Sequence, residues 1–162
     1  MKAISKINNT LAKIEGAVMV FWFAIVLVVM TCQVVSRYIF NAPIAWSEEF
    51  ARYSFVWISY IGCAYCVSVD AHTGITAFRD ALPPKAKKLT TVLGNVVVMI
   101  VFIRLLPIAM KFIGKNGKFL TSMMRIPFKY LYYSLPVGCV LTVVHLILKS
   151  ILLFAPDTIE KA

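Results

Sequence analysis

Residues 16 to 36, GAVMVFWFAIVLVVMTCQVVS, run for 21 positions without a charge. About 20 mostly apolar residues are what a helix needs to cross the hydrocarbon core of a bilayer. In lipid the backbone must satisfy its own hydrogen bonds, so such a run commits the chain to a spanning helix. Three further runs follow. Residues 50–69 carry one charge, Arg52, near their start; residues 89–110 carry only Arg104; residues 130–148 carry none. Of the 162 residues, 60% are hydrophobic and 15% charged, against about a quarter charged in a soluble domain. The expected fold is an all-α integral membrane protein. It has four transmembrane helices, at about 17–36, 50–69, 89–110 and 130–153, plus short amphipathic or interfacial helices. The polar stretches are too short to build a core of their own, so residues 1–162 read as a single membrane domain.

The start resembles a signal peptide in having Lys2, Lys6 and Lys13 before an apolar run. That run exceeds the usual ~7–15 residues, and no A-x-A site follows it. A retained first span is expected, preceded by an interfacial segment, 2–14, whose Ile4, Ile7, Leu11 and Ile14 share one helical face. The net charge of +10 would suggest nucleic acid in a soluble protein. Here the cations flank the spans, so membrane lipid headgroups are the expected partner and nucleic acid is not. With the N-terminus inside, nine cations (Lys2, Lys6, Lys13, Arg79, Lys85, Lys87, Lys88, Lys149, Lys161) face the cytoplasm. Seven (Arg37, Arg52, Lys111, Lys115, Lys118, Arg125, Lys129) face out. The positive-inside rule therefore favours N-in, C-in by a narrow margin. The loop 111–129 has five cations and no acid. Its apolar part, Phe119 to Phe128, reads as a helix on lipid headgroups or as a docking surface for an acidic partner.

Chemistry-bearing residues are sparse. Glu48 and Glu49 stand at the mouth of the second span. Ser47 is placed to cap that helix, and Glu48–Arg52 and Glu49–Arg52 have i,i+4 and i,i+3 ion-pair spacing. Trp46, Phe50, Tyr53 and Trp57 recur on one face, as interfacial aromatics do. This accounts for one carboxylate better than for two, and Arg37 is the other cation nearby. Cys63 and Cys66 have CxxC spacing, which raises a redox role. They lie within a span, however, without a second pair, and buried cysteine usually acts as a small hydrophobe. His72 and His145 are too few for a haem bundle, and Asp70 with His72 too few for a structural zinc site. Arg104 in the third span is expected to reach a headgroup or another subunit. Pro107 marks the end of that span. Pro136 and Gly138 in the fourth suggest a kink or a close helix contact. No acid lies at the middle of any span, and no P-loop, HExxH, GxSxG or internal repeat is present. A chain with four spans and no buried coupling group reads as a subunit. The alternatives are an independent homo-oligomeric channel lined by Glu48 and Glu49, and a membrane thiol oxidoreductase.

Residues 36 to 75, SRYIFNAPIAWSEEFARYSFVWISYIGCAYCVSVDAHTGI, resemble the signature region of the small membrane (Q) subunit of tripartite ATP-independent periplasmic (TRAP) transporters. The residues concerned are Arg37, Tyr38, Phe40, Pro43, Trp46, Glu48, Glu49, Arg52, Trp57, Gly62 and His72. YYSLPVG, 132 to 138, resembles the family's Pro-x-Gly in the last span. The resemblance implies a partner: a large many-helix subunit that carries the substrate and sodium sites and works as an elevator. It also implies a periplasmic binding protein that delivers an organic acid, such as a C4-dicarboxylate or sialic acid. The small subunit would be a non-catalytic scaffold in a bacterial inner membrane. It would hold no cofactor and no metal, sodium residing on the large partner. In some members the two subunits are fused; here the chain ends soon after the fourth span, and a separate subunit is expected. Glu48 and Glu49, with Arg37, Trp46, Arg52, Trp57, Gly62, His72, Arg104, Pro136 and Gly138, would anchor the subunits. Lys115, Lys118 and Arg125 would help dock the binding protein.

Overall fold

In the computed structural model, residues 2–69 and 84–154 are described. Five helices order the chain: α1 (Lys2–Ile39), α2 (Ala45–Ser68), α3 (Pro84–Asn116), α4 (Lys129–Tyr132) and α5 (Ser134–Phe154). Three stretches are long and apolar enough to cross a membrane: Ile4–Ile39, Thr90–Asn116 and Lys129–Leu152. α2, with 24 residues, is ~36 Å long and also matches a bilayer in length. Its polar content, two glutamates, an arginine and four serines, sets it apart from the other three. The architecture is all-α.

α1 is one unbroken helix of 38 residues. The interfacial segment expected at 2–14 is therefore not a separate element. No proline interrupts it, and its single glycine, Gly16, costs a helix only about 1 kcal/mol. Its inward face also differs from the expected one. Asn8, Ala12 and Glu15 are buried, while Ile7 and Ile14 are 56% exposed.

α1 ends in a compact corner. Asn41 takes a left-handed conformation (φ 51°), as a residue just past a helix often does. The Ser36 hydroxyl donates to the Ala42 carbonyl at 2.5 Å. Buried Gln33 accepts the Ile44 N–H at 2.6 Å. α2 therefore starts at Ala45, two residues before Ser47, with Ile44 at the cap position, and Ser47 is not its cap. Instead its hydroxyl donates back to the Ile44 carbonyl at 2.7 Å. The residues of α2 that are buried are small: Ser47, Ser54, Ala64 and Ser68. Small residues let membrane helices approach closely.

Two other boundaries differ from expectation. α3 continues through Pro107 to Asn116, so the proline does not end it. The first six residues of the basic loop 111–129 are this helix. The rest is a hairpin, not an amphipathic helix. Leu120 and Pro127 form an antiparallel bridge. Around it, Thr121 N–H donates to Ile126 O at 2.9 Å and Phe128 N–H to Phe119 O at 2.9 Å. Pro136 falls in the first turn of α5 rather than mid-span. It has no N–H for the Tyr132 carbonyl and its ring crowds that group; the helical run breaks at Tyr133, separating α4 from α5.

α2 packs on α1 and α5, and α5 also packs on α3 and α1. Gly138 sits where α2 and α5 cross. A Cβ there would lie 2.8 Å from Tyr60 Cβ and 3.0 Å from its carbonyl oxygen. α3 touches α4 and α5 alone among the described elements.

Candidate subunit-docking site

The two adjacent glutamates have different fates. Glu49, half-buried, is fully engaged within the chain. Its Oε1 accepts the Tyr53 hydroxyl at 2.7 Å and the Ser122 N–H at 3.1 Å. Its Oε2 accepts the N–H groups of Met123 at 3.0 Å and Met124 at 2.7 Å. Three successive amides of the hairpin tip thus converge on one carboxylate, an anion cradle of the kind consecutive turn N–H groups make. Partial desolvation raises the Glu49 pKa. The hydrogen bonds from Met124, Tyr53, Met123 and Ser122 outweigh it, and the pKa is lowered from its ordinary 4.5.

Glu48 is exposed and makes no ion pair among the described residues. Neither glutamate pairs with Arg52 or Arg37, both exposed. The spacing that suggested Glu–Arg pairs was real, but the amides outcompete the arginine for Glu49. They are 73 to 75 residues away in sequence, which no local pattern signals.

An aromatic cluster fixes the same end of the molecule. Tyr53 meets Phe128 edge-on at 6.1 Å, Phe128 stacks on Tyr132 at 5.7 Å, and Tyr132 meets Phe112 edge-on at 5.0 Å. Trp57 donates its indole N–H to the Tyr130 carbonyl at 3.1 Å. α2, α3, α4 and the hairpin are thus clamped together. Around the clamp lie exposed Arg37, Trp46, Glu48 and Arg52, and exposed Lys115, Lys118 and Arg125. Arg125 is also left-handed (φ 51°). These residues form a rim at one end of the bundle.

The remaining candidates scatter. Gly62 lies on α2 with Met19 Sδ 3.4 Å from where its Cβ would be, an ordinary contact with α1. Pro136 and Gly138 are buried within the bundle. Arg104 is exposed on α3, away from the rim. His72 lies outside the described residues. Cys63 and Cys66 are free thiols one turn apart on unbroken α2. Among the described residues no group of three His, Cys, Asp or Glu could hold a metal ion.

A second polar cluster, at the other end, escaped the sequence reading. His145 of α5 is fully buried. Its Nδ1 lies 2.7 Å from Asn8 Oδ1 and its Nε2 lies 3.1 and 3.2 Å from the Glu15 carboxylate oxygens. The signal was present: Asn8, Ala12 and Glu15 fall at i, i+4 and i+7, one face of α1.

The family profile described as "Tripartite ATP-independent periplasmic transporters, DctQ component" matches residues 16–155. The chain is 32% identical over 143 residues to the sialic acid TRAP transporter small permease protein SiaQ of Vibrio cholerae, covering 88% of this chain and 81% of that one. It is 25% identical over 141 residues to the sialic acid TRAP transporter permease protein SiaT of Haemophilus influenzae. That match spans 87% of this chain and 22% of the longer permease. With the C4-dicarboxylate TRAP transporter small permease protein DctQ of Vibrio cholerae it shares 25% identity over 85 residues, 52% of this chain and 37% of that one.

Proposed function

This chain belongs to the DctQ-component family of the tripartite ATP-independent periplasmic transporters, and from that membership we propose that it scaffolds a large, sodium-coupled permease subunit. It is a transporter component, not an enzyme. On this reading it sits in a bacterial inner membrane with both termini inside. It pairs one to one with the large subunit, which holds the sodium and substrate sites, and itself binds no cofactor. The transporter takes up an organic acid of the sialic acid or C4-dicarboxylate class, delivered by a periplasmic binding protein. Two relatives are named for sialic acid and one for C4-dicarboxylate. The match inside a much longer permease supports work alongside a large membrane partner.

The observation that carries the scaffold role is the division of labour at the rim. Glu49 is consumed inside the chain, building the hairpin onto α2. Glu48, Arg37 and Arg52 stay exposed beside it. Charges at a membrane edge that the chain does not satisfy are suited to an oppositely charged neighbour. Lys115, Lys118 and Arg125, on the same rim, suit an acidic face of the binding protein.

The test is a mild-detergent pull-down of the tagged chain, with co-purifying proteins identified by mass. A stoichiometric many-helix partner is expected, and Glu48→Lys with Arg52→Glu should reduce its recovery. A homo-oligomer that conducts solute by itself would replace this reading with the channel alternative. In reconstituted vesicles, replacing Lys115, Lys118 and Arg125 by Gln should raise the apparent KM for the binding-protein complex. An unchanged KM across a salt series would remove the docking role.

A further inference from the structure

Arg104 is an arginine set in an apolar helix face. It lies between Ile103 and Leu105, and its helical neighbours at i−7, i−4, i−3 and i+4 are Val97, Ile100, Val101 and Ile108. All four are exposed. The buried residues of this half of α3, Ala109 and Ile113, point to the opposite side, where α5 packs. Arg104 therefore projects away from its own bundle. It forms no ion pair among the described residues.

The lean of side chains along the helix disfavours relief by a headgroup. The nearer water level is marked by Lys111, Lys115 and the hairpin, all C-terminal to Arg104 on the chain. Lys111 is seven residues on, a rise of ~10 Å. A helical side chain leans toward the helix N-terminus, so the guanidinium is carried away from that surface and toward the membrane interior. In the direction it leans, the span begins at Thr90, ~21 Å away, far beyond an arginine's length. A charge held there needs a counter-charge.

We propose that the Val97–Ile108 face of α3 is the intramembrane contact with the large permease subunit, and that Arg104 pairs there with an aspartate or glutamate on one of its spanning helices. This rests on the scaffold reading above. The isolation of α3 supports it: among the described residues the helix touches α4 and α5 and neither α1 nor α2. A cleft of about 410 Å³ separates it from α2, with Tyr60, Leu105 and Ala109 on its walls and Ile108 at the edge where it meets the outward face. A helix held on one side alone leaves the rest of its surface for a neighbour.

The test uses the assembled complex. A photo-crosslinking amino acid is placed at Ile100 or at Ile108, keeping Arg104, and at Phe21 on exposed α1 as a comparison. Crosslinks from Ile100 and Ile108 to the large subunit are expected. Arg104→Leu and Arg104→Glu should each lower its recovery about tenfold, with Arg104→Lys retaining more. An Asp→Lys or Glu→Lys change in one spanning helix of the large subunit should restore recovery with Arg104→Glu. If both positions crosslink only to lipid while the unmodified chain still recovers the large subunit, the scaffold reading stands and this contact is wrong. If Arg104→Leu recovers the partner as well as the unmodified chain, the pairing is wrong. Failure of the unmodified chain to recover any large subunit overturns both.

Discussion

At the residue scale, Glu48 and Glu49 show how one peptide bond can separate two environments. Only Glu49 is within reach of the hairpin amides, and a carboxylate that accepts several N–H groups is strongly favoured in its charged form. Replacing Glu49 with Ala strands the amides of Ser122, Met123 and Met124 together. The hairpin should loosen, and trypsin should cut after Arg125 roughly tenfold faster, whereas Glu48→Ala should leave the rate unchanged. Equal rates for the two variants would deny the cradle. The sign of the pH effect follows from the lowered pKa. Above the ordinary 4.5 the carboxylate is charged whether or not the hairpin is docked, and its contribution is fully present. As pH falls through the lower docked value, the contribution disappears. Hairpin order measured by amide exchange should thus be flat from pH 8 to 5 and fall only below about pH 4.

At the scale of elements, two contacts decide whether the helices stay together. Gly138 lets α5 cross Tyr60 of α2 at backbone distance. A methyl group there meets Tyr60 backbone and Cβ, neither of which can swing aside. Gly138→Ala should therefore destabilise by about 1–3 kcal/mol, the usual cost of overpacking. Gly94→Ala, where nothing lies within 4 Å, should be neutral or stabilising by up to about 1 kcal/mol. Thermal unfolding in detergent separates the two. The other contact is the Asn8–His145–Glu15 cluster joining α1 to α5. His145→Leu leaves Asn8 and Glu15 buried without their partner, at about 1–3 kcal/mol for each stranded group. Changing all three residues to Leu should recover most of that loss. If the triple variant is less stable than His145→Leu, the cluster is not a self-contained polar unit. These contacts were unequally legible. A Gly two residues after a Pro in an apolar span pointed to a close approach, though not to Tyr60. Asn8 and Glu15 carried no expectation, because the isoleucines beside them made the louder pattern. In water that pattern would have decided the face. In a membrane the outer face is itself apolar, so hydrophobicity stops marking the inside and small or polar residues mark it instead.

For the whole molecule, the spans were legible because lipid imposes length and apolarity on any crossing helix. Boundaries were less so: α1 and α3 extend past their apolar runs, and helix continuation into water leaves no hydropathy signal. The bundle now constrains how the chain lies in the membrane more tightly than its charges do. Glu49 at the start of α2 is bonded to Met124 in the hairpin, so the α1–α2 corner and the hairpin share one side. His145 near the end of α5 is bonded to Asn8 and Glu15 near the start of α1, so those two ends share the other. An even number of crossings satisfies both, and the nine-to-seven cation count is the ground on which we propose the first side as periplasmic. Single cysteines can test the two statements separately, in a background where Cys32, Cys63, Cys66 and Cys139 are serine. Ser122→Cys in the hairpin and Thr10→Cys on α1 are both at exposed positions. In spheroplasts a membrane-impermeant maleimide should label Ser122→Cys at once, and Thr10→Cys only after permeabilisation. The reverse pattern would keep the bundle and invert its orientation. Labelling of both from the same side would break the packed arrangement itself, which puts three crossings, an odd number, between the two positions.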